Sequence, residues 1–459
     1  MMEYLGIEFQ VKNLPALDAD YIPFGPWMEA YLAEASRPLD IALERENGKV
    51  SVHHTFLRGG DFAQANFRFA ERYVKFLLWS VGGWRICLRG DREIARRLAA
   101  DYTRGGARAF DVQFMEDVYE HTFEVADCTD GGFPEANERS VPVGGHMEGC
   151  RIGFDAGGSD RKVSAVIDGE TVYSEEVVWH PKTSEDPQYQ YDGIVAAFRT
   201  AASKMPRVDA IGVSSAGVFI GNSPMVSSIF LKVPREKRGF VKSVYDRAAK
   251  EIGDVPIVVA NDGDVTALAG SMSLGSGAVM GMAMGTSEAV GYVDGSGNIL
   301  GWLNELAFAP VDLNGHALRD EWSTDIGVGC KYFSQDAVIK LAPAAGITLS
   351  DALTPAEKLR EVQVLAEEGE GGARGIFASI GAYLAHTLSL YCHFYTVRHF
   401  LVLGRVTSGV GGTLVVDECN RILREEYPAL AAAMRVTLPD EKTRRVGQSV
   451  AAASLPRIG

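Results

Sequence analysis

"RIGFDAGGSDRKVSAVIDGE", residues 151–170, decides how this chain is read. A short apolar run ends in Asp155, then Gly157, Gly158 and Ser159 interrupt it, and a second apolar run leads to Asp168-Gly169. Two such runs around a glycine turn read as paired strands. The two glycines permit backbone conformations closed to other residues, so that amide groups can turn toward an anion. Ser159 offers a hydroxyl, and Arg161 or Lys162 offers positive charge. Asp155 does not suit direct contact with a phosphate, whereas a carboxylate at this place suits a hydrated Mg²⁺. An ordinary Gly-Gly hairpin is the competing reading. The motif begins 150 residues into the chain, so another module precedes it.

From there onward strands and helices alternate. "RIGFDA", "KVSAVID", "ETVYSEEVV", "DAIGVSSA", "PIVVAN", "AVMGMAM", "AVGYVD", "HFLVLG" and "RVTL" read as strands. "YDGIVAAFRTAASKM", "GFVKSVYDRAAKEI", "DVTALAGSMSL", "SQDAVIKLAPAAG", "GIFASIGAYLAHTLSLYCHFYTV" and "VVDECNRILREEY" read as helices. The alternation predicts an α/β protein with mostly parallel sheets. "GFDAGG…VIDG" and "MAMGTSEAVGYVDGSG" share one layout: strand, glycine turn, strand, Asp-Gly turn. Two such hairpins imply a duplicated architecture with a cleft between two lobes.

Three further pieces carry chemistry. In "VPIVVANDGDVTALAG", residues 255–270, a strand runs into Asn261-Asp262 and then a helix. Carboxyl ends of parallel strands are where α/β folds bind ligands, so Asp262 is placed to take a proton from a hydroxyl and Asn261 to orient it. Capping of the helix by Asp262 or Asp264 is the alternative. Gly285-Thr286-Ser287 presents amides and hydroxyls at a strand end, suited to the outer phosphates of a nucleotide. "FLVLGRVTSGVGG", residues 400–412, places Gly404, Gly409, Gly411 and Gly412 before a helix, as a flat surface for an adenine ring.

In this order the pieces resemble the superfamily of actin and sugar kinase ATPases, and within it the ROK family and hexokinase-like sugar kinases. The resemblance spans about residues 151–459 and implies a two-lobed, actin-like ATPase (ribonuclease H-like) fold. Residues 151–265 would form one lobe, completed by a C-terminal helix at about 445–459, and 266–444 the other. It implies that Asp155 lies near Mg²⁺ and that Gly157, Gly158, Ser159 and Lys162 surround the β- and γ-phosphates of ATP. Asp262 would be the general base, Asn261 and Glu305 sugar ligands, Gly285 and Thr286 the second phosphate turn, and Gly404 and Gly409 the adenosine site. Asn222, in the loop "AGVFIGNSP", would border the sugar. The implied activity is transfer of the γ-phosphoryl of Mg·ATP to a hydroxyl of a hexose or related sugar. A catalytically silent, sugar-sensing regulator of the same family is the alternative.

The chain also departs from that family. ROK kinases carry Glu-x-Gly-His and then a CxCGxxGC zinc cluster, whereas here "LAFAPVDLNGH" follows Glu305 and "STDIGVGCKYFSQ" holds the single Cys330. No structural zinc is expected, and Asp312, Asp325 and Gln335 are candidate sugar contacts without a firm match. Trp302, beside Asn304-Glu305, is a candidate to line the pocket. His386, His393 and His399 lack a metal-binding pattern and read as packed or surface histidines.

Residues 1–150 form an α+β module whose role composition does not choose: covering the cleft, dimerisation and partner binding all remain open. "DYIPFGPW" reads as loop, and Phe62–Leu78 and Asp91–Tyr102 as helices. Residues 71–108 hold nine Arg/Lys against four Asp/Glu, while 109–138 hold nine Asp/Glu and no Arg/Lys. That reversal reads by default as two solvated faces, with an internal electrostatic contact as the alternative. Residues 131–149 read as a linker or exposed loop. The net charge of −15 argues against a nucleic-acid or anionic-membrane partner. Six scattered cysteines without CxxC suit reduced thiols, the start lacks a signal-peptide pattern, and no apolar run reaches ~20 residues. A cytoplasmic protein is expected.

Overall fold

The computed structural model describes residues 1–138, 143–439 and 447–458. The quoted stretch forms strands Cys150–Ala156 and Asp160–Ile167, joined by residues 157–159. They sit in a five-stranded sheet of spatial order Ile257–Asn261, Ala210–Ser215, Cys150–Ala156, Asp160–Ile167, Glu170–Val178. The first three strands are parallel and the other pairs antiparallel. Cys150–Ala156 is buried along its whole length, as an apolar central strand must be.

Successive residues of that strand face opposite sides of the sheet. Phe154 meets Phe198 of helix Pro187–Ala202, with ring centroids 5.5 Å apart. The other side carries helix Gln448–Ala453, whose carbonyls at Ser449 and Ala452 occupy the space a Cβ would need on Gly153 and Gly212. Two backbones approach closely there, and only glycine allows it. Residues 445, 446 and 459 of the expected terminal helix lie outside the described residues, as do 139–142 of the expected linker.

A second sheet repeats the layout: Glu288–Val293, Val279–Met284, His399–Leu403 and Arg435–Thr437, one antiparallel hairpin followed by parallel strands. The sheets are therefore mixed rather than mostly parallel, because each glycine hairpin adds antiparallel pairing. Helix Asp262–Leu274 joins the two lobes, and its Gly263 carbonyl rests against Gly291 of the second sheet.

Residues 1–138 add a third sheet, in the order Val50–Leu57, Arg37–Glu44, Arg85–Arg89, Glu124–Asp127. Their apolar side chains and those of 280–436 form one continuous core. Phe76 stacks on Phe394 at 4.3 Å, and Tyr21 meets Tyr383 edge-on at 4.8 Å. "DYIPFGPW" is not all loop: helix Phe24–Leu32 starts within it, with Pro26 in the first turn, where a missing N–H costs nothing. The expected helices at 62–78 and 91–102 are present as Ala63–Ser80 and Arg92–Asp101, the second capped by Asp91. The expected helix over 239–252 is broken at Ser243, and that over 375–397 runs Gly371–Tyr391.

The charge reversal is in part an internal contact, at the buried pair Lys75 and Asp111, while the other pairs between the two segments lie at the surface. Lys75 pairs with Asp111 at 2.9 Å, Arg85 with Glu124 at 3.0 Å and Arg104 with Glu116 at 2.7 Å, and Arg92 pairs with Asp130. Arg72, Lys75 and Arg108 converge on Asp325 at 3.0, 3.2 and 2.7 Å. No helix among the described residues is long and apolar enough to cross a membrane.

Candidate active site

Asp155 lies at the carboxyl end of the central strand of the first sheet, buried, and accepts a hydrogen bond from the Ser214 hydroxyl at 3.0 Å. Burial raises its pKa to about 6, against the Ser214 hydrogen bond and with a contribution from nearby Asp262. The turn after it is clasped by Trp179, whose indole N–H donates to the Gly157 carbonyl at 2.8 Å and whose backbone N–H donates to Ser159 at 3.1 Å. Gly157 and Gly158 do not adopt left-handed conformations, contrary to the expectation from the sequence. Close approach favours glycine at 157, where a Cβ would lie 2.7 Å from the Asp160 carbonyl; at Gly158 the near group is the mobile end of Lys182, whose Nζ would lie 2.6 Å from a Cβ. Ser159 is exposed, its hydroxyl bonded to Asp160 at 3.1 Å.

Asp262 opens helix Asp262–Leu274, but Asn261 is the cap, accepting from Gly263 N–H at 2.7 Å. The Asn261 amide donates to the Gly217 carbonyl at 2.8 Å, so both ends of this side chain are engaged in holding the loop to the helix. Asn222 is likewise engaged, accepting from Val259 N–H at 3.0 Å and donating to the Ile257 carbonyl at 3.2 Å and to Asp246 at 2.9 Å. Its side chain braces the edge strand Ile257–Asn261.

The Asp262 carboxylate accepts from Gly263 N–H at 3.0 Å. Burial raises its pKa, opposed by that backbone bond and by the charge of Lys182. Glu305 is raised to about 7 by burial and then by the neighbouring Asp262 and Asp264. Its carboxylate accepts no hydrogen bond among the described residues, so its acceptor capacity is unspent there. Residues 303–305 are hung from the carboxyl end of helix Ala63–Ser80: Leu303, Asn304 and Glu305 donate their N–H groups to Val81, Ser80 and Trp79 at 3.3, 3.0 and 3.0 Å. Asn304 is left-handed, with φ 52°, and is held by Asp264 at 3.0 Å and Tyr395 at 2.9 Å. Two polar partners thus hold a costly backbone conformation next to Glu305.

A cavity of about 700 Å³ opens from Asp155 and Lys162 to Gly404, Thr407 and Ser408, walled by Leu438, Pro439 and Gln448. Two of the sequence pieces thereby face one space. Lys162 is drawn toward Asp160 and Glu176, at 3.9 and 3.6 Å. Gly404 has φ 94°, and the backbone of Met284 fills the place of its Cβ. Gly409, φ 65°, lines an adjoining depression with Glu367 and Arg360. Gly411 and Gly412 are not a ligand surface: they are buried against Phe377 and Thr407. Thr286 is exposed at the tip of the second hairpin, and the carbonyl of Gly285 accepts from Gln335 N–H at 2.9 Å.

Asp312 and Asp325 are committed elsewhere, Asp312 to Ile22 N–H and the Tyr332 hydroxyl, Asp325 to the three buried cations. Trp302 packs edge-on against Tyr395 at 5.5 Å and lines a separate cavity of about 300 Å³ with Asn261, Asp264, Asn222 and, from the N-terminal region, Lys49 and Tyr119. His386 is buried with both ring nitrogens bonded, to Tyr427 and to the Asn13 carbonyl. Sequence reasoning missed Lys182, Ser214 and Trp179. Ser214 lay beside a strand end and was findable. Nothing in "HPKTSED" signals that its lysine reaches a turn more than twenty residues earlier.

No family model and no curated protein matches the chain. Among solved structures it is similar to a ROK family transcriptional regulator, a homolog of the E. coli MLC protein, at 15% identity and TM-score 0.50 over 67% of this chain and 79% of that one. It is also similar to a ROK hexokinase from Thermus thermophilus (17% identity, TM-score 0.49, 66% and 97%). A third is a ROK family glucokinase from Streptomyces griseus in complex with glucose and AMPPNP (18%, 0.47, 66% and 98%). At such identities the likeness is one of fold. The chain has the two-lobed, actin-like fold of the ROK-family regulator, with about a third of its length outside the match.

Proposed function

We propose that the chain is a ROK-like, ATP-dependent sugar kinase that passes the γ-phosphoryl of Mg·ATP to a hydroxyl of a hexose or related sugar. The observation that carries the reading is that Asp155 lines a cavity large enough for a nucleotide together with Gly404, while the charge of Asp262 is near enough to raise the pKa of both Asp155 and Glu305. Glu305, lacking a hydrogen-bond partner of its own, would accept from sugar hydroxyls. Asp262, made more basic by burial, would take the proton of the attacked hydroxyl. As the new O–P bond forms, the bond from the γ-phosphorus to the β–γ bridging oxygen breaks, and its electron pair leaves with ADP.

The donor set fits Mg²⁺, which is ordinarily held by one or two carboxylates together with substrate phosphates. Asp155, buried and short of a cation partner, would hold the ion through water. Mg²⁺, when bound, supplies charge neutralisation on the phosphate oxygens.

The test is ADP release from Mg·ATP across hexoses, N-acetylhexosamines and polyols, with Asp262→Asn alongside. Turnover with one sugar, reduced about 10²–10⁴-fold in the variant with sugar binding retained, is the expected result. Near-normal turnover in Asp262→Asn would remove Asp262 from the role of base. The same fold in a solved ROK-family regulator makes a catalytically silent sugar sensor the second reading. It expects sugar binding without turnover in the parent chain.

A further inference from the structure

The turn after Asp155, a residue that lines the cavity, would need a cation to meet phosphate, and the two its own sequence offers are both diverted. Arg161 donates to the Gly193 carbonyl, and Lys162 leans toward Asp160 and Glu176. Lys182, from the short 3₁₀ segment Pro181–Thr183, has no carboxylate at ion-pair distance among the described residues. Its side chain lies directly on Gly158, Cε and Nζ filling the place where a Cβ would stand. The segment is anchored on both sides: Gln190 donates to the Pro181 carbonyl at 2.9 Å, and Trp179 clasps Gly157. The ammonium group is near enough to Asp262 to favour its charged form.

We propose that Lys182 is a phosphoryl-binding residue, its Nζ contacting the terminal phosphates of the nucleotide where they cross the Gly157-Gly158 turn toward Asp262. The inference rests on the kinase reading and names a group that the sequence motif does not contain. A lysine here acts as a point charge on a flexible stem, able to follow the γ-phosphoryl as its oxygens gain charge in transfer. It also accounts for Gly158, since any side chain there would push the ammonium off the turn.

The experiment is calorimetric titration of the full chain with Mg²⁺ and the β,γ-imido analogue of ATP, for the parent, Lys182→Met and Lys182→Arg. The methionine keeps an unbranched stem over Gly158 and removes the charge. Because Lys182 is exposed, neither variant should alter the thermal unfolding midpoint. The expected result is analogue affinity weakened at least about tenfold in Lys182→Met and largely retained in Lys182→Arg. Parent-like affinity in Lys182→Met overturns the proposal and leaves the kinase reading standing. Equal loss in both variants also overturns it, since packing on Gly158 rather than charge would then be what matters. A parent chain that binds no analogue overturns the proposal and the kinase reading together.

Discussion

The two lobes carry similar glycine hairpins but are held together differently. The lobe around the first sheet buries a core of its own, built on Phe154, Phe198 and Tyr245. The lobe around the second sheet shares its core with residues 7–123, and its Glu305 segment hangs from the carbonyls of helix Ala63–Ser80. The N-terminal region is thus built into the side of the cleft opposite the phosphate turn. Two buried carboxylates express the same contrast. Burial alone would raise the pKa of Asp325, but Arg72 and Lys75 hold it down to about 2. Asp155, with a hydroxyl and, among the described residues, no cation bonded to it, stands at about 6. One carboxylate ties parts of the chain together, while the other is left short of counter-charge.

The contrast can be broken by removing each in turn. Asp325→Ala leaves Arg72, Lys75 and Arg108 buried with only Glu71 and Asp111 to answer them, a loss expected to cost about 3–5 kcal/mol in urea unfolding. A loss below about 1 kcal/mol would show that the N-terminal region is not secured there. Asp155→Asn should behave in the opposite way. The amide oxygen still accepts from Ser214 and no charge is buried, so stability at pH 8 should be unchanged or higher. Phosphoryl transfer should fall about 10²–10³-fold. A marked destabilisation would make Asp155 a structural residue like Asp325.

What the sequence could disclose follows the same division. The first lobe was legible because its signals are local: apolar runs, glycine turns, and a strand that passes directly into a helix at Asn261-Asp262. The second hairpin was legible for the same reason. In the N-terminal region two helices were legible but the packing was not, because it comes from contacts across hundreds of residues, such as Phe76 on Phe394 or Arg72 on Asp325. In "FGPW" the local turn chemistry pointed the wrong way: Pro26 is harmless in a first turn, and Phe24, Trp27, Met28 and Tyr31 are fully buried. Asp155, Asp262 and Glu305 were assigned because motif order placed them, and the shifts that Asp262 imposes on the other two put them near one another. Asn222 and Asn261 were assigned by residue type, but which partner an amide takes is decided only in three dimensions. Lys182 could not be found at all.

The smallest effect concerns Glu288, which starts the second strand of the second hairpin as Asp160 does in the first. Asp160 is part-exposed, whereas Glu288 is buried, with the Tyr391 hydroxyl on one oxygen at 3.3 Å and no partner for Oε2 among the described residues. Burial, with Glu305 nearby, raises its pKa to about 8. A raised carboxyl pKa means that the folded chain holds the proton more tightly than the unfolded one. The native state is therefore favoured most at acid pH. That advantage is lost as pH climbs from about 4.5 through 8, and the slope flattens above it. Glu288→Gln keeps the shape without the titration. Its unfolding free energy should match the parent near pH 4.5 and exceed it by on the order of 1 to 3 kcal/mol at pH 8.5. Parallel pH–stability curves for the two proteins would mean that Glu288 is paired or solvated in the native state.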